Sequence, residues 1–272
     1  AELQERAAAL RALASPCRLC PRQCGVQRDA GERGLCGLGA GLRVYCCNLH
    51  HGEEPPLSGT RGSGTVFFSG CNLRCVFCQN YGFSHLLNGV EMTPHTLAHH
   101  MLQLQQRGAH NINWVTPTPQ LPEAVAALAI ARAQGLDCPL VFNCSGYEAL
   151  EALRLLDGVV DIYLPDAKYA DATAARIYSD AADYPAVNRT ALREMLRQVG
   201  QLQLDVQGVA VRGLLIRHLV LPENLGGTAA ILRFIAAELG RDTAVSLMRQ
   251  YFPAHRARDF TAINRGITWD EY

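Results

Sequence analysis

The chain has 272 residues, with 49% hydrophobic and 18% charged side chains, the balance of a globular protein rather than a disordered one. Its 25 basic and 25 acidic residues cancel, which removes the usual electrostatic argument for a nucleic-acid or anionic-membrane partner. No run of about 18 apolar residues is present, so no membrane-spanning helix is expected.

Residues 1–14 read as one amphipathic helix without the basic start and apolar centre of a signal peptide. Most of the eleven cysteines fall in tight groups within the first 78 residues, as metal ligands do, and a reducing cytoplasm is the expected location. The first group, in CRLCPRQC and GERGLCG, places Cys17, Cys20, Cys24 and Cys36 in the pattern C-x2-C-x3-C-x11-C. A Pro- and Gly-rich segment of this kind cannot build a core alone, and a metal is its usual staple. Four thiolates suit either a structural zinc or an iron–sulfur cluster. Cys46 and Cys47, in LRVYCCNL, read as strand or core residues.

Residues 48–64 look like a linker, with two prolines, four glycines and little periodicity. His50 and His51 read as residues of a solvated loop rather than metal ligands, and Glu53 and Glu54 as loop carboxylates rather than an acid/base pair. The expected division is therefore a cysteine-rich extension at 1–47, a linker at 48–64 and a main domain at 65–272.

From residue 65 strand and helix alternate. Strand-like runs occupy 65–69, 112–116, 139–143, 160–164, 214–221 and 244–248; helical patterns fill 93–107, 121–134, 147–156, 171–180, 184–200 and 228–239. Six β/α units with nearly continuous apolar strands predict an α/β fold, a parallel sheet covered by helices. The pattern alone fits both an open sheet and an incomplete barrel. Either way the site forms at the C-terminal strand ends, and each end carries polar groups: Thr116 and Thr118; Asn143, Cys144 and Ser145; Asp166 and Lys168; Arg217 and His218; Gln250 and Tyr251. Taken singly, Lys168 also reads as a solvated charge and His218 as a satisfied core histidine.

The first strand runs into Gly70 to Asn80, GCNLRCVFCQN, where Cys71, Cys75 and Cys78 are spaced C-x3-C-x2-C. Three thiolates can hold three irons of a cubane cluster, which leaves one iron open to a substrate. A zinc knuckle would need a fourth ligand, and the next downstream candidate is His85.

This spacing, with Phe77 before the third cysteine, resembles the signature of the radical S-adenosylmethionine (SAM) superfamily. CRLCPRQC, HHGEEPPLSG, GSGTVFFSGCNLRCVFCQNY, NINWVTPTPQ, DIYLPDAKY, RGLLIRHLVLP and MRQYFPAHR extend the likeness. They resemble homologues of pyruvate formate-lyase activating enzyme, in the branch with an N-terminal cysteine-rich extension. The resemblance implies a partial (β/α)6 TIM-like barrel with Cys71, Cys75 and Cys78 as ligands of a 4Fe–4S cluster. It also implies cofactor contacts near Phe77, Thr116, Thr118, Asn143, Cys144, Asp166, Lys168 and His218. The implied activity is reductive cleavage of SAM to methionine and a 5′-deoxyadenosyl radical, which takes a hydrogen atom from a substrate. That substrate is a glycine on a glycyl-radical enzyme, or another peptide, a nucleotide or a metabolite. An electron donor such as flavodoxin or ferredoxin is the implied partner, besides a macromolecular substrate. The chain departs from well-understood activating enzymes in having TPTP where they carry Gly-Gly-Glu, and Asn143-Cys144 where they carry Asp-Thr. A different class, a non-catalytic zinc or iron–sulfur scaffold or electron carrier, is separated from the enzyme by SAM cleavage.

Overall fold

Apolar residues recur at every second position in the central strands, and each parity packs on a different side of the sheet. A computed structural model describes residues 1–272. Nine strands are present: β1 (Leu42–His50), β2 (Ser63–Phe68), β3 (Val90–Met92), β4 (Ile112–Val115), β5 (Leu140–Cys144), β6 (Ile162–Pro165), β7 (Gln203–Leu204), β8 (Ala210–Leu219) and β9 (Ala244–Met248). Their order is β3-β1-β2-β4-β5-β6-β8, with β7 and β9 both pairing β8. The pairs from β2 through β4, β5, β6 and β8 to β9 are all parallel. These six strands are the six apolar runs of the sequence. No pairing joins β9 to the opposite edge, so the sheet is a partial TIM-like barrel.

One parity (Val66, Phe68, Trp114, Phe142, Tyr163, Leu214 and Ile216) packs with apolar residues of helices 94–106, 121–133 and 184–199 in the largest core. Each large side chain buried this way contributes about 1.5–3 kcal/mol. The other parity (Val141, Ile162, Leu164 and Leu215) forms a smaller inner cluster closed by Leu57. Asn143, Asp166 and Arg217 continue this inner face at the strand ends.

The sheet continues across the boundary expected at residue 47, which falls inside β1. That strand pairs antiparallel with β2, because Leu42 and Val44 are fully drawn into the main core. Residues 48–64 are likewise not a free linker. They hold the end of β1, a helical turn at Pro55–Ser58 and the start of β2, and Leu57 is 0% exposed. Asn111 fixes this segment, donating through Nδ2 to the Leu57 carbonyl at 2.9 Å and accepting from Ser63 Oγ at 2.6 Å. No helix is long and apolar enough to cross a membrane.

Candidate active site

Strand β2 ends at Phe68, and the chain turns at Gly70, whose φ of 80° favours glycine. A Cβ there would stand 2.6 Å from Leu38 Cδ1. The cysteine loop that follows is tied on three sides. Val76 N–H donates to the Tyr178 carbonyl at 2.9 Å, Arg256 N–H donates to the Val76 carbonyl at 2.8 Å, and Asn72 Nδ2 donates to the Tyr147 carbonyl at 2.5 Å. Leu73, Val76 and Phe77 pack with Tyr169, Tyr178 and Tyr251. Phe77 meets Tyr251 edge-on at 5.7 Å.

Each thiol of the loop has its own hydrogen-bond neighbour. Leu73 N–H donates to Cys71 Sγ at 3.4 Å, Ser179 Oγ donates to Cys75 Sγ at 3.0 Å, and Cys78 Sγ lies 3.1 Å from Ser84 Oγ. Burial pushes the Cys78 thiol up to about 11, with Cys75 adding to the rise and Ser84 opposing it. Cys71 is raised by burial too. Such thiols stay protonated until a metal displaces the proton.

Lys168 follows the C-terminal end of β6, at the same end of the parallel sheet as the cysteine loop after β2, and its charge favours the thiolates of Cys71 and Cys78. Its Nζ donates to Asp166 Oδ2 at 2.5 Å, and the side chains are 19% and 15% exposed. The other Asp166 oxygen accepts from Arg217 Nε at 3.0 Å, and Arg217 also donates to Asn143 Oδ1 at 2.7 Å. Burial alone would raise the Asp166 carboxyl, but Arg217 and then Lys168 outweigh it and hold it below the usual carboxylate range.

The backbone beneath is equally fixed. Tyr184 Oη and Asn188 Nδ2 approach the Asp166 carbonyl at 3.0 and 2.9 Å, and Lys168 N–H donates to Tyr184 Oη at 3.0 Å. Beside them Thr116 sits at φ 59°, rare for a β-branched residue and a mark of a constrained site. Its N–H donates to the Asn143 carbonyl at 2.8 Å.

Glu53 and Glu54 belong here as well, which corrects their reading as ordinary loop carboxylates. Their side chains are 8% and 10% exposed and lie 3.8 and 4.0 Å from Arg217. The turn at Pro55–Ser58 is pinned inside the barrel by Leu57, and that carries both acids inward. Burial raises the Glu53 carboxyl to about 7 against the pull of Arg217. Glu54 Oε2 and both amide atoms of Asn113 are buried without a partner. These are positions that a ligand or water can satisfy.

Other expected contacts turn elsewhere. Thr118 Oγ1 donates to Glu148 Oε2 at 2.8 Å, and the 2%-exposed Cys144 packs in the main core. His218 is 0% exposed. Its Nδ1 lies 2.6 Å from the Ala167 carbonyl and its Nε2 2.9 Å from Thr228 Oγ1, so the ring is a satisfied core group. His50 is half-buried and His51 exposed.

The model of the radical SAM superfamily matches residues 65–208, more than half of the chain. The chain belongs to the radical SAM superfamily. An uncharacterized protein of Methanocaldococcus jannaschii is 31% identical over 265 residues, covering 94% of this chain and 71% of that one. A second uncharacterized protein of the same organism is 25% identical over 263 residues, covering 89% and 72%. Among solved structures, HydG, a maturase of the FeFe-hydrogenase, aligns at a TM-score of 0.47 and 12% identity. That alignment covers 71% of this chain and 43% of HydG.

Membership implies a 4Fe–4S cluster and SAM, and the radical SAM loop suits the cluster. Cys71, Cys75 and Cys78 are free thiols, and each has a neighbour that can donate to a thiolate. No group of three His, Cys, Asp or Glu residues converges as a single metal ion requires. A cubane has its irons at separate corners, so its ligands need not converge.

Proposed function

We propose that this radical SAM protein is an enzyme that uses SAM to abstract a hydrogen atom from a substrate bound at the strand-end rim. One observation carries the reading: the three-cysteine loop after β2 and the Lys168–Asp166 pair after β6, joined at 2.5 Å, stand at the same C-terminal end of the parallel sheet. When bound, the cluster and SAM supply one-electron cleavage of the sulfonium to methionine and a 5′-deoxyadenosyl radical. Cys71, Cys75 and Cys78 would hold the cluster, three ligands for four irons. The methionine part of SAM is a zwitterion, and Asp166 with Lys168 presents an anion and a cation to it. An ammonium has three donors, so Lys168 can keep Asp166 and still reach a carboxylate. Arg217 and Tyr184 keep that pair in place, and Leu57 with the inner apolar cluster closes the barrel beneath it.

The finer reading is an activating-enzyme-like oxidoreductase. It acts on a glycine of a partner protein and receives electrons from a flavodoxin- or ferredoxin-type donor. The motifs around the cysteine loop and strand ends support it, while the substrate class rests on resemblance alone. A second metal at Cys17, Cys20, Cys24 and Cys36 belongs to the same reading, as does a cytoplasmic setting, which all eleven free cysteines suit.

Anaerobically reconstituted protein, reduced with dithionite, should convert SAM to methionine and 5′-deoxyadenosine. Cys75→Ala should abolish this. Cleavage that persists in that variant would sink the assignment.

A further inference from the structure

The segment between the first helix and β1 contains no strand and one short turn, Arg28–Ala30. Cys17, Cys20 and Cys36 are nevertheless buried in it, at 2%, 9% and 5% exposure. Cys20, Cys24 and Cys36 line one small cavity together with Arg22, Arg28 and Asn72. Gly34 lets two of the sulfurs close in, since a Cβ there would lie 3.0 Å from Cys24 Sγ and 3.7 Å from Cys36 Sγ.

Arg28 is the unusual member of this group. It is 4% exposed, and it donates to the Pro119 carbonyl at 2.6 Å and to Cys36 Sγ at 3.3 Å. It also donates to the Gly39 carbonyl at 3.4 Å. Its Nε is buried without a partner. Glu123, the nearby acid, is instead paired with Arg11 at 3.1 Å. A cation buried without a carboxylate is costly unless another anion balances it. The groups around Arg28 able to carry that charge are the cysteines, since an iron or zinc site with four thiolates is a net anion.

Four sulfurs about 2.3 Å from one zinc must converge on a point, and no group of three does so anywhere in the chain. The radical SAM cysteines show the same lack of convergence, and the superfamily places a cubane there.

Resting on the reading of a second metal at these residues, we infer that Cys17, Cys20, Cys24 and Cys36 ligate a fully coordinated 4Fe–4S cluster with Arg28 as its buried counter-cation. This cluster has no open iron and does not bind SAM. It lies beside the radical SAM loop. Asn72 lines its cavity, and Arg22 Nε donates to the Asn72 carbonyl at 2.9 Å, next to Cys71.

The test uses the full chain carrying Cys71→Ala, Cys75→Ala and Cys78→Ala together, reconstituted anaerobically with iron and sulfide. It should retain about four irons and, once reduced, give a paramagnetic signal that added SAM leaves unchanged. Zinc in their place, or neither metal, overturns the inference. Wild-type protein supplies an independent count: about eight irons are expected, with SAM perturbing one of two signals, and a count near four overturns the inference even if the triple variant misfolds. Arg28→Gln should keep its iron and shift the midpoint potential of this cluster to more negative values, because a nearby cation favours the reduced, more anionic form. Arg28→Lys should restore most of the shift. An unchanged potential in Arg28→Gln removes the counter-cation role. Because the triple variant lacks the radical SAM cluster, failure of wild-type protein to cleave SAM would overturn the proposed function and leave this inference standing.

Discussion

Arg217 and Asp166 meet across adjacent parallel strands, with Nε donating to Oδ1 at 3.0 Å and both side chains less than one-fifth exposed. The pair is the centre of a chain that runs from Lys168 through Asp166 and Arg217 to Glu53 and Glu54. Arg217 is its one link to the two glutamates. Arg217→Met would leave Asp166 with Lys168 alone and the two buried glutamates without a cation. Breaking a buried pair in this way costs about 3–5 kcal/mol, and the urea midpoint should fall accordingly. A stability loss below 1 kcal/mol would show that the network is looser than its geometry.

Glu148 gives a pH dependence. Burial raises its carboxyl to about 8, against the Thr118 hydroxyl, whose hydrogen bond pulls it down. The unfolded value is near the ordinary 4.5, so between these limits the folded chain binds more protons than the unfolded one. Stability therefore falls as pH rises from about 4.5 to 8. Glu148→Gln removes the titration and should flatten that fall by on the order of a few kcal/mol. Urea midpoints at pH 5 and pH 8 for both proteins decide it: parallel profiles would contradict the assignment.

Ser179 touches the radical SAM loop without being a ligand. Its hydroxyl donates to Cys75 Sγ at 3.0 Å and lies 2.7 Å from Tyr169 Oη. A donor to a ligating sulfur favours the reduced state, so Ser179→Ala should keep the iron and lower the cluster potential. One hydrogen bond of about 0.5–1.5 kcal/mol corresponds to roughly 20–60 mV for one electron. A redox titration followed by electron paramagnetic resonance would show it, and loss of iron instead would make Ser179 a structural residue.

The parallel strands were legible because each is a short apolar run bounded by turn residues. The cysteine loop was legible because its spacing is local. β1 was legible only in part: Cys46 and Cys47 in LRVYCCNL read as strand or core residues, but the antiparallel pairing with β2 that carries the sheet past residue 47 has no local mark in the sequence. β3 has three residues and little burial to leave a pattern. The buried acids were illegible for another reason: Glu53 and Glu54 precede two prolines, a loop signature, and their partner Arg217 is over 160 residues away in the chain. Tyr184 and Asn188 lie on the buried face of a helix, where periodicity marks them as core but not as the clamp on Asp166.

Gly146 holds a related position. Its φ is 71°, and a Cβ would fall 2.2 Å from the Asp166 carbonyl oxygen and 2.3 Å from Asn188 Nδ2. Gly146→Ala should therefore displace the Asp166 backbone as well as strain its own, with a loss of about 1–3 kcal/mol. A thermal midpoint equal to wild type would remove Gly146 from the clamp.

Lys168 decides between a structural pair and a cofactor site. Its Nζ is 2.5 Å from Asp166 Oδ2, and it is 19% exposed. As a structural ion pair it would contribute stability and nothing to SAM, because Arg217 would still hold Asp166. As a ligand for the methionine carboxylate it would contribute a hydrogen bond between charged groups, about 1.5–3 kcal/mol, or roughly tenfold or more in affinity. Lys168→Met keeps the length of the side chain and removes the charge. Calorimetric titration of SAM into anaerobic, reconstituted wild-type and Lys168→Met protein should show at least the tenfold weakening, at equal iron content. Equal affinities, with a lower melting temperature in the variant, would assign Lys168 to the framework and leave SAM to be held by other groups at the rim.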